Sequence, residues 1–454
     1  MLILDYPEWI QPTVAQVLIP QAAYKPTPEL AQIDKLLQDE TFEEPIVERF
    51  NTQRGRPTVP VRVYMRMMFL KHYTGLSYED LQPEVTHNLM YRFFCRIPIE
   101  QKVPDATALM KITTKYGEEV IEEINQQLLK TLAEKKVIKG RKLRIDTTVV
   151  EANIAHPTDA GLLLEGVKKL TRAVTRINQA CGKASRQSTK QIHRMKDHML
   201  SISKLLRRRS DNTIKEVREI TGRMAQEARE TLIRVERIAK KLVPETDSDH
   251  KMVGNLLDTA RNVRKVIDQS EAVNAGNTKL ADRLVSLDDP EARPIVKGKP
   301  GKRVEFGYKV QIQEVEGGIV TGYQTHKGNP SDKLLVDDAL KQHQKIFGKA
   351  PKEISLDRGY YDSDNEKKAY AAGVKNVCIP KIGKKSKART QFENTPTFKR
   401  LKRWRAGIEA RISCLKRRFG LDRSMLRGHR KTTTWTGLGI FAHNLRQAAR
   451  LMAT

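Results

Sequence analysis

Between residues 28 and 136 apolar residues recur three and four positions apart, as at Val61, Tyr64, Met65, Met68 and Leu70, and that spacing predicts a succession of helices. Gly75 marks the end of one helix, Ser77 can cap the next, and Asp80 stands where a capping-box acid belongs. Helix, tight turn and helix fits a helix-turn-helix DNA reader and a plain helical bundle equally well. At Lys142 the texture changes to LRIDTTVVEANI, with β-branched residues clustered around one aspartate, as in a buried strand. Helical spacing returns from about residue 159 to 290, through Val217, Ile220, Met224, Leu232, Val235, Ile238 and Leu242, and predicts a large amphipathic insertion. From Arg303 the segments FGYKVQIQEV and IVTGYQT, joined at Gly317-Gly318, read as a hairpin. A helix at SDKLLVDDALKQHQKIFG, a strand at EISLDRGYY, a helix at DSDNEKKAYAAG, a short strand at VKNVCIP and a long helical region complete the chain. The predicted fold is α/β, a mixed sheet with helices on its faces and a large helical insertion, preceded by an all-α domain. The expected boundaries are 1–136 for a helical DNA-binding domain and 137–454 for a catalytic domain, interrupted at about 159–290.

A chain of 454 residues exceeds the reach of one hydrophobic core, so two or three domains are expected. Charged residues make up 30% of it, and no stretch approaches the roughly 20 apolar residues that cross a bilayer, so no membrane is expected. The opening MLILDYPEWIQP lacks the basic flank and apolar run of a secretory signal, so a location inside the cell is expected. Cys95, Cys181, Cys378 and Cys414 form no CxxC pair, and His193 and His198 stand five apart, a poor match to the spacing of a helical zinc site. The formal net charge of +29 makes nucleic acid the leading partner. Much of it lies between Lys381 and Lys431, with 18 Lys or Arg against three acids, Glu393, Glu409 and Asp422. Phe398, Trp404, Ile408, Ile412, Leu415 and Phe419 are interleaved there, so the basic run reads as folded and Glu409 needs a reason.

Asp146 and Asp357 each stand in an apolar strand, where a carboxylate is costly unless a cation or hydrogen bonds compensate it. One such aspartate could cap a turn or pair with an arginine such as Arg358; two in matching contexts favour a shared metal site. Magnesium and manganese take oxygen ligands, and two ions about 4 Å apart can serve an in-line displacement at phosphorus. Glu409, on the first strong helix after the last strand, is the natural third carboxylate. Arg405 precedes it by four positions on the same face, and Arg411 and Lys416 follow, where cations could grip phosphates. Glu151, Asp159, Asp362 and Asp364 read as flanking acids without an essential role. No Walker glycine loop or serine triad is present.

The segments LRIDTTVVEANIAHPTD, ISLDRGYYDSDN and RWRAGIEARISCLKRRFGLDR resemble the three acidic blocks of bacterial insertion-sequence transposases of the DDE class. The helical segment PTVPVRVYMRMMFLKHYTGLSYEDL extends the resemblance over nearly the whole chain. It implies a ribonuclease H-like catalytic domain, with Asp146, Asp357 and Glu409 as the catalytic, metal-binding triad for two magnesium or manganese ions. The Tyr-x2-Arg-x3-Glu-x6-Lys signature of such proteins matches at Arg405, Glu409 and Lys416, whose basic members would contact DNA. Lys402 stands at the tyrosine position, and nearby Trp404 could take over the aromatic role. The implied activity is cleavage at transposon ends and strand transfer into target DNA, by a homodimer acting on double-stranded DNA in the bacterial cytoplasm, at the nucleoid. The alternatives are a stand-alone metal-dependent nuclease and a non-catalytic DNA-binding relative.

Overall fold

The computed structural model describes all residues except 12, 51–54, 56, 181–188, 209–210, 243–245, 297–303 and 454; Cys181 lies outside the described residues. Among the described residues there are six strands: β1 (Lys142–Glu151), β2 (Arg293–Val296), β3 (Val304–Val315), β4 (Val320–His326), β5 (Glu353–Leu356) and β6 (Asn376–Cys378). The sheet order is β2-β3-β1-β5-β6, with β4 also on β3. β1 pairs parallel with β5 and β5 parallel with β6, whereas β3 and β4 form the antiparallel hairpin expected at Gly317-Gly318, so the sheet is mixed. Leu143, Ile145, Val149 and Val150 on β1 are buried, as its run of branched residues requires.

The chain divides into two compact units, residues 1–152 with 308–454, and residues 153–307. The expected boundary at 136 falls inside the first unit, and the helices before β1 share its hydrophobic core with the sheet. The Val61–Thr74 helix is buried along most of its length, including Val63, Tyr64, Met67 and Phe69. Gly75 ends it in the left-handed region, and the Ser77 hydroxyl then accepts the Asp80 amide and caps the helix Tyr78–His87. That second helix contains no Lys or Arg and exposes Glu79 and Asp80, an outer face poorly matched to a phosphate backbone.

The second unit is the insertion. Its helices Asp159–Ala180, Thr189–Leu205, Asp211–Ala239 and Asp247–Asn274 enclose a core of Leu163, Val167, Leu170, Met195, Met224, Ala228, Val263 and Ile267. Gly166 lets two of these helices approach closely, since a Cβ there would stand 3.0 Å from the Val263 side chain. β2 pairs antiparallel with Val304–Gly307 at the end of this unit.

Candidate active site

Register brings the two aspartates together. Ile145 on β1 is paired with Leu356 on β5, so the next residues, Asp146 and Asp357, leave the ends of these paired segments side by side. This is the carboxyl end of parallel strands, where open α/β sheets place their ligands. The two carboxylates are held alike: Asp146 Oδ1 accepts the Thr147 amide at 2.8 Å, and Asp357 Oδ1 accepts the Arg358 amide at 2.7 Å. In each, the other oxygen faces one guanidinium nitrogen, Arg405 Nη2, at 2.9 Å from Asp146 Oδ2 and 3.7 Å from Asp357 Oδ2. Arg405 Nη1 donates to Glu409 Oε1 at 3.2 Å. The structure therefore gathers Asp146, Asp357 and Glu409 around a single cation.

The three acids differ in their surroundings. The side chain of Asp146 is 16% exposed, that of Asp357 43% and that of Glu409 68%. Burial pushes the Asp146 carboxyl above the usual aspartate range, against the lowering effect of Arg405 and the Thr147 amide, and the Asp357 charge pushes the same way as burial. Such a pair favours an added cation. With Arg405 among the acids, no group of three His, Cys, Asp or Glu among the described residues is set to hold a metal ion. The donor chemistry nonetheless fits a hard divalent cation, because every candidate ligand atom is a carboxylate oxygen.

The helix carrying Arg405 and Glu409 is Pro396–Phe419, which buries Phe398, Leu401, Ile408, Leu415 and Phe419. A buried ionic layer anchors it. Arg144, two residues before Asp146, donates to both oxygens of Glu314 at 2.9 and 2.7 Å and to the Trp404 carbonyl. Arg411 donates to Glu314 at 3.1 Å and to His443 Nε2 at 2.8 Å. Glu314 is 0% exposed, so its charge depends on these two arginines. Gly407 makes room for the contact, since a Cβ there would lie 2.4 Å from Arg144 Nη1.

Two of the residues expected at DNA, both half-buried, have partners within the chain. Arg411 is held by Glu314 and His443, and the Trp404 ring lies 4.8 Å from the Arg144 guanidinium. Lys402 is exposed beside them, and Lys416 is half-buried. Of the flanking acids, Glu151 pairs with Arg423, Asp159 with Arg283, and Asp362 caps the Ser363–Ala371 helix. Asp364 makes a surface pair with Lys367.

Sequence reasoning missed Asp332. Its Oδ1 accepts the Thr147 hydroxyl at 3.1 Å and pairs with Lys309 at 2.8 Å, beside β1. Burial, then Asp332, then Asp146 raise the Tyr360 phenol above its ordinary range, so this hydroxyl lies in the field of the same acids. Nothing local marks Asp332; only its approach to Thr147 reveals it. Arg144 and Glu314 were missed likewise, although a charged residue in an apolar strand is the signal that drew notice to Asp146.

Comparison with known proteins adds two family matches. Residues 19–115 match the family described as Transposase domain (DUF772), and residues 282–445 match the Transposase DDE domain, which carries the ribonuclease H-like fold with it. The second match includes Asp357 and Glu409, whereas Asp146 lies between the two. An uncharacterized protein, ORF8 in the nfe locus of Rhizobium meliloti, is 32% identical over 127 residues, or 26% of this chain. The chain spans 59% of that relative's length. No solved structure matches. No helix among the described residues is long and apolar enough to cross a membrane.

Proposed function

We propose that this chain, which belongs to the insertion-sequence transposases of the DDE class, cuts DNA at transposon ends and joins the freed ends to target DNA. The observation that carries the reading is the gathering of Asp146, Asp357 and Glu409 around Arg405 where the pairing of β1 with β5 ends. These three acids would hold two magnesium or manganese ions, which when bound supply Lewis acidity to the attacking and leaving oxygens.

The chain's own residues set the geometry. The Thr147 and Arg358 amides fix one oxygen of each aspartate, so the remaining oxygens point into one space. Glu409 approaches that space from a helix whose seating depends on Arg144 and Glu314. In the first reaction a water oxygen forms a bond to phosphorus while the bond from phosphorus to the 3′ oxygen breaks, and that oxygen leaves as a 3′-hydroxyl. In the second this hydroxyl attacks a target phosphodiester and displaces the target's own 3′ oxygen. Charge develops on phosphate oxygens in both, and Arg405, once released from the acids, is placed to bind them. Lys402 and Lys416 extend this basic helix for DNA contact, and two copies of the chain would process two ends together.

The test is magnesium-dependent cleavage of a supercoiled plasmid carrying the element's ends. Asp146→Asn, Asp357→Asn and Glu409→Gln should each abolish nicking while DNA binding survives. Cutting by Glu409→Gln would remove it from the triad, cutting without strand-transfer products would leave a nuclease, and binding without cutting by the wild type would leave a DNA-binding protein.

A further inference from the structure

Charge is divided unevenly among the helices of the insertion. The Asp211–Ala239 helix carries six Lys or Arg and six acids, and the Asp247–Asn274 helix carries four against five. Among the described residues four of their ten cations reach a carboxylate, Arg229, Arg261, Arg264 and Lys265, as in Arg229 with Glu271 at 2.7 Å, and acids balance the charge of both helices. Residues 189–208 instead carry six Lys or Arg against the single acid Asp197. All six, Lys190, Arg194, Lys196, Lys204, Arg207 and Arg208, are exposed. Only Arg194 reaches a carboxylate among the described residues, Glu227 at 3.7 Å.

The cations also share a direction. The Thr189–Leu205 helix turns Gln191, Met195 and Ile202 inward. At about 100° per residue, Lys190, Arg194, Lys196 and Lys204 then occupy an arc of roughly 160° on the opposite side, which they share with the one acid, Asp197, and with His193. Along the axis Lys190 and Lys204 are about 21 Å apart, a distance over which duplex DNA presents a charge every ~1.7 Å. Like charges held in this way repel one another, and a polyanion relieves the repulsion through charge complementarity and counterion release.

We propose that this face of the insertion, Lys190 to Arg208, is a sequence-independent binding surface for the phosphate backbone of duplex DNA. The inference rests on the transposase reading and gives the insertion a task within it: to hold duplex DNA. It predicts little base preference, because the long flexible cations that dominate this arc contact phosphates rather than base edges.

The experiment uses the full chain and a labelled 30-base-pair duplex of arbitrary sequence, with affinity followed by fluorescence anisotropy from low to moderate salt. In the test variant Lys190, Lys196, Lys204, Arg207 and Arg208 are all replaced by Gln. A control variant loses the same charge from the balanced helix and its end, by replacing Lys215, Arg218, Arg223, Arg237 and Lys240 with Gln. All ten side chains are exposed, so neither variant loses core packing. The test variant should bind at least about tenfold more weakly, with a salt dependence shallower by about 0.9 per lost phosphate contact, while the control stays near wild type. Equal loss in both variants, or an unchanged slope in the test variant, overturns the proposal. So does undiminished DNA binding accompanied by loss of binding to phosphatidylserine vesicles. If the proposal alone fails, wild type and test variant still cut the plasmid at the same protein concentration; if the transposase reading fails, neither cuts it at any.

Discussion

Arg405 and Asp146 are 259 residues apart in the chain, yet their side chains meet at 2.9 Å, and the same guanidinium also reaches Asp357 and Glu409. One fixed positive charge faces three carboxylates. The deficit is what divalent cations would make up, and at Asp146 the neighbouring Asp357 charge adds to the burial that raises its carboxyl. Arg405 therefore holds the site together and competes with the ions the site would take.

Replacing Arg405 with Gln should strengthen manganese binding in the absence of DNA, because the competing charge is gone, and should lower plasmid cleavage at least about tenfold, because a phosphate contact is lost. Electron paramagnetic resonance of free manganese measures the first effect. Weaker manganese binding by the variant would show that the guanidinium does not compete with the ions.

Asp146→Asn should raise the thermal midpoint at neutral pH while abolishing cleavage. A folded-state pKa above the ordinary aspartate value means that the ionised form is disfavoured by folding, a cost present at pH values above that raised pKa and lost as pH falls below the unfolded value. The neutral amide removes the cost. A lower midpoint by calorimetry would count against this account of the site.

Gly407→Ala should destabilise the fold by about 1–3 kcal/mol through overpacking, because Arg144 cannot retreat without giving up Glu314 and the Trp404 carbonyl. Arg144→Met should cost more, about 3–5 kcal/mol, since it removes one of the two arginines on a fully buried carboxylate. Urea denaturation measures both, and a neutral Arg144→Met would mean that Arg411 suffices alone.

Acid should unfold the protein through its buried histidines. Burial, reinforced by Lys71, pushes His72 down to about 3; burial, reinforced by Arg411, does the same to His443. The unfolded chain takes up these protons near the ordinary histidine value of about 6.5, so stability is highest above that pH and falls toward pH 3 by about 1.4 kcal/mol per pH unit for each group. His443→Asn should remove one such increment from the slope, as read from urea midpoints at pH 7, 6 and 5. An unchanged slope would show that His443 does not titrate in this way.

The sequence by itself determined the elements and two of the acids' settings. Periodicity records which face of a helix or strand is buried, so the helices before Lys142, the insertion, the hairpin and the strands leading to Asp146 and Asp357 were all legible. Glu409 was legible as an acid that a basic helix had to justify. Which charges meet was decided only by tertiary structure, because it depends on strand register and on how closely the last helices approach the sheet. That packing placed Arg405 among the acids, set Arg411 on Glu314 and Trp404 beside Arg144, brought Asp332 to Thr147, and joined the helices before β1 to the sheet in one unit. Burial patterns are local and leave a trace in the chain, whereas the partner of a long charged side chain is chosen from everything within its reach after folding, and adjacent residues carry no record of that choice.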